Sequence, residues 1–281
     1  MNEKQAPFFF FHLPRTAGTT LNAILRDNFA PAVTLSIYRR EDYERYREID
    51  SAFLDGLRLI QGHIMPQSMQ PPTLYGRPVR LFTFVREPVA RLVSEYRFLK
   101  SWPQNHMFAY LNEHNISFRH YLTGNERQLR LRGRNFMTHS LAGIHQGISD
   151  ADALALAKQH LETSILFCGV QERFDESLLL LADILGLQHY CYEPRNRLRQ
   201  DALPEISPED LALAAELNAA DLELHRHALR LLEQRMASLG AAFALRLRNF
   251  RQLNARYQKI CALVEKKHQV TPTGPVILPK R

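Results

Sequence analysis

Residues Pro7 to Phe29 read Pro-Phe-Phe-Phe-Phe-His-Leu-Pro-Arg-Thr-Ala-Gly-Thr-Thr-Leu-Asn-Ala-Ile-Leu-Arg-Asp-Asn-Phe, and the fold is decided here. Phe8 to Leu13 is a short, almost continuously apolar run bounded by Pro7 and Pro14, which suits a central strand buried on both faces. After it, Gly18 frees the backbone to turn and the hydroxyl residues offer caps for a helix. Leu21, Ile24, Leu25 and Phe29 then recur at helical spacing, so a helix is expected to start near Gly18.

A strand, a tight loop and a helix in that order aim backbone N–H groups and the positive helix end at one spot, which makes an anion site. Arg15, Thr16, Thr19 and Thr20 add charge and hydroxyl groups to it. An ordinary strand–turn–helix with a threonine cap has the same pattern. A triphosphate loop would read G-x-x-x-x-G-K-[ST]. The first Gly and the Lys are both absent here, so the ligand need not be a metal-bound nucleotide.

Working outward, Leu57 to Ile60 reads as a strand that runs into Gln61-Gly62-His63. Ligands of open α/β sheets bind outside the carboxyl ends of the strands, and that position recommends His63, although a lone histidine is ordinarily structural. Val79 to Val85 is a second buried strand, ending at Arg86-Glu87-Pro88. Pro88 suits a first helical position, and Val89, Leu92, Val93, Tyr96 and Leu99 form the apolar face of the helix it opens. A magnesium-nucleotide enzyme places an acidic metal ligand at such a strand end. Arg86 stands there instead, and a cation suits a metal-free phosphate. Ser94 shares the opposite face of the helix with Arg91 and Phe98, where its hydroxyl can join Arg86 on one anion.

Leu13-Pro14-Arg15-Thr16-Ala17-Gly18-Thr19-Thr20-Leu21 and Phe84 to Tyr96 resemble the two nucleotide motifs of sulfotransferases, and more narrowly the glycan-type branch that includes heparan sulfate 2-O-sulfotransferases and related bacterial enzymes. The resemblance covers about Pro7 to Leu232. It implies a P-loop-type, three-layer α/β fold with a central parallel sheet flanked by helices. It also implies a 3′-phosphoadenosine 5′-phosphosulfate (PAPS) donor, leaving as 3′-phosphoadenosine 5′-phosphate (PAP). Arg15, Thr16, Ala17, Gly18, Thr19 and Thr20 would then hold the 5′-phosphosulfate, Arg86 and Ser94 the 3′-phosphate, and His63 would serve as general base. Gln61 stands where a second histidine occurs in the branch. Arg15 stands where many members have Lys, and because a guanidinium does not give up its proton, its implied role is electrostatic. A late basic loop containing Arg197 and Arg199 matches the one that closes over the nucleotide in this family, with a solvated charge run as the alternative.

The chain between Ser101 and Gly147 interleaves Trp102, Phe108, Tyr110, Phe118 and Tyr121 with histidines and arginines, which reads equally as a grip for an anionic sugar chain or as a solvated surface. Arg39 to Asp55 reads as an exposed amphipathic helix. Ser149 with Asp152 starts a helix, Ile165 to Val170 is a third buried strand, Phe174 to Leu185 is a leucine-rich helix, and Ser207-Pro208 opens a helix or helix pair running to about Leu239. The βα repetition favours a parallel sheet. Phe243, Leu247, Phe250, Leu253, Tyr257, Ile260 and Val264 predict a long amphipathic helix over 241–268 with a basic outer face. It is expected to pack on the domain or on a second subunit, as in a homodimer, with a membrane-surface role as the lesser reading. The organisation expected is therefore a 1–240 domain, the 241–268 helix and a loose 269–281 tail.

Composition sets the remaining bounds. A hydrophobic share of 45% and a charged share of 23% are those of a globular protein, and no apolar run is long enough to span a bilayer. Three cysteines far apart suggest neither a disulfide framework nor a zinc site, and no metal site is expected. The N-terminus lacks a signal pattern, from which a cytoplasmic location is expected. A net charge of +7 fits an anionic ligand. The function expected is metal-independent, in-line sulfuryl transfer from PAPS to an acceptor hydroxyl on a carbohydrate or glycoconjugate, with no nucleic-acid partner. The rivals are a P-loop kinase-type phosphotransferase and a catalytically inactive nucleotide-binding relative.

Overall fold

The computed structural model describes residues 6–39, 41–42, 44, 51–126, 129, 132–144, 146–193 and 205–270. The first strand, β1 (Phe8–Phe11), leads through the loop into helix α1 (Gly18–Asn28). Strand β2 (Thr34–Ile37), the short helix α2 (Ser51–Asp55) and strand β3 (Leu59–Gly62) come next. A small antiparallel sheet, β4 (Ser68–Met69), β5 (Pro72–Leu74) and β6 (Arg77–Pro78), precedes β7 (Arg80–Val85) and helix α3 (Pro88–Ser101). Then come α4 (Phe108–Glu113), α5 (Phe118–Thr123), α6 (Phe136–Ala142), α7 (Asp150–Thr163), β8 (Phe167–Val170), α8 (Phe174–Leu185), α9 (Pro208–Leu217) and the long helical segment α10 (Ala219–Val270).

The main sheet runs β2-β3-β1-β7-β8, and each neighbouring pair is parallel. The all-apolar β1 lies at its centre, with Phe10 opposite Gln61 on one side and Phe82 on the other. Phe9, Phe10, Phe82 and Phe84 are completely buried, as strands covered on both faces by helices require. Gly169 permits this packing: a Cβ there would lie 2.5 Å from the Phe84 ring.

Several sequence expectations fall into place. Pro88 occupies the first turn of α3, and Glu87 caps it by accepting from the Val89 and Ala90 amides at 3.1 and 2.6 Å. Ser149 and Ser207 cap α7 and α9 by accepting from Asp152 and Asp210 amides, each at 3.1 Å. Strand β2 was not anticipated: Thr34-Leu35-Ser36-Ile37 is an alternating, half-buried edge strand of four residues, too short to stand out by pattern. Of the helix expected over Arg39 to Asp55, residues 40, 43 and 45–50 lie outside the described residues; residues 41, 42 and 44 are helical, and its end is α2.

The aromatic and basic stretch after Ser101 is in part a core, with Trp102, His114, Arg119 and His120 left exposed. Tyr96, Met107, Leu111, Phe118, Tyr121 and Leu122 form a second hydrophobic core beneath α3. Its arginines are occupied structurally: Arg119 pairs with Asp210 at 2.7 Å, Arg132 with Glu95 at 2.9 Å, and Arg134 donates to the Leu122 and Thr123 carbonyls. Arg127 and Arg130 lie outside the described residues.

The α10 segment breaks at Gly240, whose φ of 63° and ψ of −151° belong to a region open essentially to glycine alone. The arm beyond it docks on α8 through Arg246 with Asp183 and Arg251 with Asp175 and Glu176. It remains helical to Val270, past the end expected at 268.

Candidate functional site

In sheet order, the carboxyl ends of the five parallel strands carry Tyr38, His63, the His12–Gly18 loop, Arg86 and Glu172. This is the edge at which open α/β sheets bind their ligands.

In the loop, Arg15 (φ 68°) and Ala17 (φ 71°) are both left-handed, a conformation that costs a non-glycine residue about 1–2 kcal/mol and clusters at ligand sites. Ala17 is the N-cap of α1, and no side chain caps the helix there. The expected hydroxyl cap is thus absent, and the backbone N–H groups of a helix's first turn are the donors from which an anion site is built. Thr16 is fully buried and its hydroxyl donates to the Leu13 carbonyl at 2.8 Å, so it steadies the loop from inside and does not face a ligand. Thr19 is exposed and Thr20 buried on the first turn of α1.

Gly18 serves a different purpose from the turn expected of it. Its backbone is not left-handed; instead the His12 ring fills the place of its missing side chain, and a Cβ would lie 1.7 Å from Nε2 of that ring. His12 is therefore pressed against the start of α1, between the loop and His63. Burial, and after it the nearby His63 and Arg15, hold its imidazole well below the ordinary range, so it is neutral. Its Nδ1 is buried without a hydrogen-bond partner among the described residues.

His63 comes after Gly62, which must be glycine because a Cβ there would stand 2.0 Å from the Ile37 carbonyl oxygen of β2. The His63 amide donates to that carbonyl at 3.1 Å, and its Nδ1 lies 2.7 Å from the His12 carbonyl oxygen. A carbonyl only accepts, so Nδ1 carries the proton and neutral His63 presents the Nε2 lone pair. Its ring sits 4.5 Å from the His12 ring and edge-on to Tyr38 at 5.0 Å. Tyr38 is itself fixed by Asn22, whose amide donates to the phenol oxygen at 2.7 Å. His63 is exposed as a residue, yet crowding by protein lowers its pKa, opposed by the His12 carbonyl and Glu95.

Arg15 Nε donates to Ser94 Oγ at 3.1 Å, and its guanidinium lies 4.6 Å from the centre of the Phe98 ring. Arg86 donates to the Arg15 carbonyl at 3.2 Å, and its Nε is buried without a partner among the described residues. Burial depresses both guanidinium pKa values; Arg86 depresses Arg15 further, while Glu172 and Glu87 work against the fall at Arg86. Two half-buried cations crowded together with an unused donor fit an anion of more than one charge. Glu172 accepts from the Glu87 amide at 3.0 Å and from His225 Nε2 at 3.1 Å, and so ties the end of β8 to the turn carrying Arg86.

The structure thus brings Arg15, Arg86 and Ser94 into one group, where the sequence divided them between two phosphates, and sets His63 on the other side of β1. Arg91, placed by the sequence on the open face with Ser94, is instead wholly buried and pairs with Glu95 at 2.6 Å. Arg91 is covered by the Phe136 ring, 5.1 Å away, and by the Arg132 carbonyl, while Ser94 stays half-buried. Arg197 and Arg199 lie outside the described residues. Sequence reading passed over Tyr38, His12 and Glu172 as site residues. The signal available for each was its place just after a strand.

The fold and this strand-end group of loop, arginines and histidine define a parallel α/β protein with a candidate anion site at the carboxyl ends of its strands. The family model for galactose-3-O-sulfotransferases matches residues 6–273, and the chain belongs to that family. The model is named for galactose, whereas the sequence motifs resemble the heparan sulfate branch; both names are of carbohydrate sulfotransferases. A galactosylceramide sulfotransferase from Bos taurus is 34% identical over 95 residues, a match that covers 33% of this chain and 22% of that enzyme. Among solved structures, mouse sulfotransferase SULT7A1 complexed with PAP is similar at a TM-score of 0.37 and 13% identity, covering 78% of this chain and 66% of that one.

Proposed function

We propose that the protein transfers the sulfuryl group of PAPS to a hydroxyl of a galactose-containing carbohydrate or glycoconjugate. The observation that carries this reading is the position of His63, its Nδ1 held by the His12 carbonyl and its Nε2 left as the base, beside the arginine-bearing loop across β1. Family membership and the named relative support the class of acceptor.

Bound at the loop, PAPS supplies an electrophilic sulfur and a phosphate leaving group. His63 Nε2 takes the acceptor proton as the new O–S bond forms and the S–O bond to the 5′-phosphate breaks. Arg15 and the N–H groups at the start of α1 stabilise charge on the departing phosphate oxygen, and Arg86 with Ser94 holds the 3′-phosphate. Cations at these positions perform the charge neutralisation for which kinases use magnesium.

Donor binding and transfer test the reading separately. PAP should raise the melting temperature without magnesium, and labelled sulfate should pass from PAPS to an acceptor ending in galactose. A shift with magnesium ATP but none with PAP would overturn the donor assignment. A PAP shift with no transfer to any member of a galactoside and glycolipid panel would leave a binding protein instead of an enzyme.

A further inference from the structure

Beyond Gly240 the α10 arm has two apolar faces. The inner one is satisfied: Phe243 and Phe250 are buried, Phe250 meets the Tyr190 ring at 5.5 Å, and Asn254 accepts from the Tyr192 amide at 2.7 Å. The outer one is not. Leu253, Tyr257, Ile260 and Val264, spaced four, three and four apart, form one stripe with exposures of 56%, 39%, 60% and 48%, and Leu263 beside it is 63% exposed.

The arm's own charges identify what fits the stripe, Glu193 and Asp27 of neighbouring segments bearing on Tyr257 alone. Between Ala241 and Val264 the sequence has Arg246, Arg248, Arg251, Arg256 and Lys259, and no Asp or Glu. Arg246 and Arg251 are paired with α8 carboxylates. By helical spacing Arg256 lies between Ile260 and Leu263, and Lys259 and Arg248 follow on the far side of Leu263; all three are exposed, and none has an ion pair among the described residues. A second copy of the arm would cover the apolar side chains but bring only further cations. An acidic lipid surface answers both features at once, taking the apolar stripe at the acyl boundary and the cations among its headgroups. The arm is roughly 36 Å long at about 1.5 Å per residue, enough to lie along such a surface over its whole stripe.

We propose that the 241–264 arm docks the protein on an anionic membrane surface through the Leu253–Tyr257–Ile260–Val264 stripe and the flanking Arg248, Arg256 and Lys259. The test uses the full chain in co-sedimentation with phosphatidylcholine vesicles, with and without phosphatidylserine. Binding should require phosphatidylserine and weaken in high salt. Arg256→Gln and Lys259→Gln should each weaken it about fivefold, and Ile260→Ser with Leu263→Ser should remove it while circular dichroism stays unchanged, since all four side chains are exposed. No binding to phosphatidylserine vesicles at low salt would overturn the proposal, as would binding unaffected by the two Gln variants. So would a dimer, seen by light scattering without lipid, that Ile260→Ser dissociates.

Discussion

His63 Nδ1 lies 2.7 Å from the carbonyl oxygen of His12, so the residue ending β3 is oriented by the backbone of the residue just past β1. This contact sets the tautomer, and with it which nitrogen can act as base. Crowding by protein lowers the His63 pKa from 6.5, with the His12 carbonyl opposing the shift. The working form is the neutral one, present above the folded pKa. kcat/KM for sulfuryl transfer should therefore fall only below the ordinary imidazole range on the acid side and be flat through neutrality. His63→Ala should lose about 10²–10⁴-fold in kcat while keeping its PAP-induced thermal shift. Turnover retained in that variant would remove His63 from the chemistry.

Gly18 and His12 occupy one volume, because a Cβ at position 18 would overlap the His12 ring. Gly18→Ala should destabilise the protein by about 1–3 kcal/mol, as overpacking does, and disturb the loop enough to weaken PAP binding. Adding His12→Ala removes the obstructing ring, so the double variant should recover part of the stability lost by Gly18→Ala. A thermal or urea double-mutant cycle measures this. Strict additivity of the two single effects would show that the overlap is relieved some other way.

Arg15, Arg86 and Ser94 form one donor group, but they contribute unequally to it. A hydrogen bond to a charged group is worth about 1.5–3 kcal/mol, so Arg86→Ala should weaken PAP about 10- to 100-fold by calorimetry. Ser94→Ala loses a hydroxyl that already has Arg15 as partner, and should cost less. Arg15→Lys keeps the charge but cannot reproduce both the Nε bond to Ser94 and the planar stacking on Phe98. It should lower PAP affinity less than Arg15→Ala does. Equal losses in the two Arg15 variants would mean that geometry, not charge, is what the loop supplies.

How far the sequence could be read in advance depends on how locally each feature is encoded. The strands β1, β7 and β8 are apolar runs ended by distinctive residues, and the caps at Ser149 and Ser207 need only three neighbouring positions. His63 and Arg86 were legible because each comes directly after a strand. The purpose of Gly18 was not, because it depends on a ring six residues earlier folding back against the helix start. Arg91 was misplaced for a related reason: helical periodicity puts it opposite the apolar stripe of α3, but Phe136 and the Arg132 carbonyl, some forty residues later in the chain, cover it there. Strand β2 was missed because its four residues alternate at the edge of the sheet and carry no motif.

Glu95 is the centre of the buried network that this second covering creates. It accepts from Arg91 at 2.6 Å and from Arg132 at 2.9 Å, and Arg91 also donates to the Arg132 carbonyl at 3.2 Å. Burial opposes ionisation of Glu95, but the two arginines outweigh it and hold the carboxyl below its ordinary value of 4.5. Removing the carboxylate strands one fully buried and one part-buried cation, so Glu95→Ala should cost about 3–5 kcal/mol. Because the folded pKa is depressed, the stabilisation is present above the unfolded value and lost as pH falls through it toward the folded one. Wild-type stability should therefore drop on acidification below about pH 4.5 by more than that of Glu95→Gln, which has no such carboxyl to titrate. Asp221, whose carboxyl burial pushes up, titrates with the opposite sign and is present in both proteins, so the difference between the two urea-denaturation curves isolates Glu95. Parallel pH dependences would show that Glu95 is not held ionised by Arg91 and Arg132.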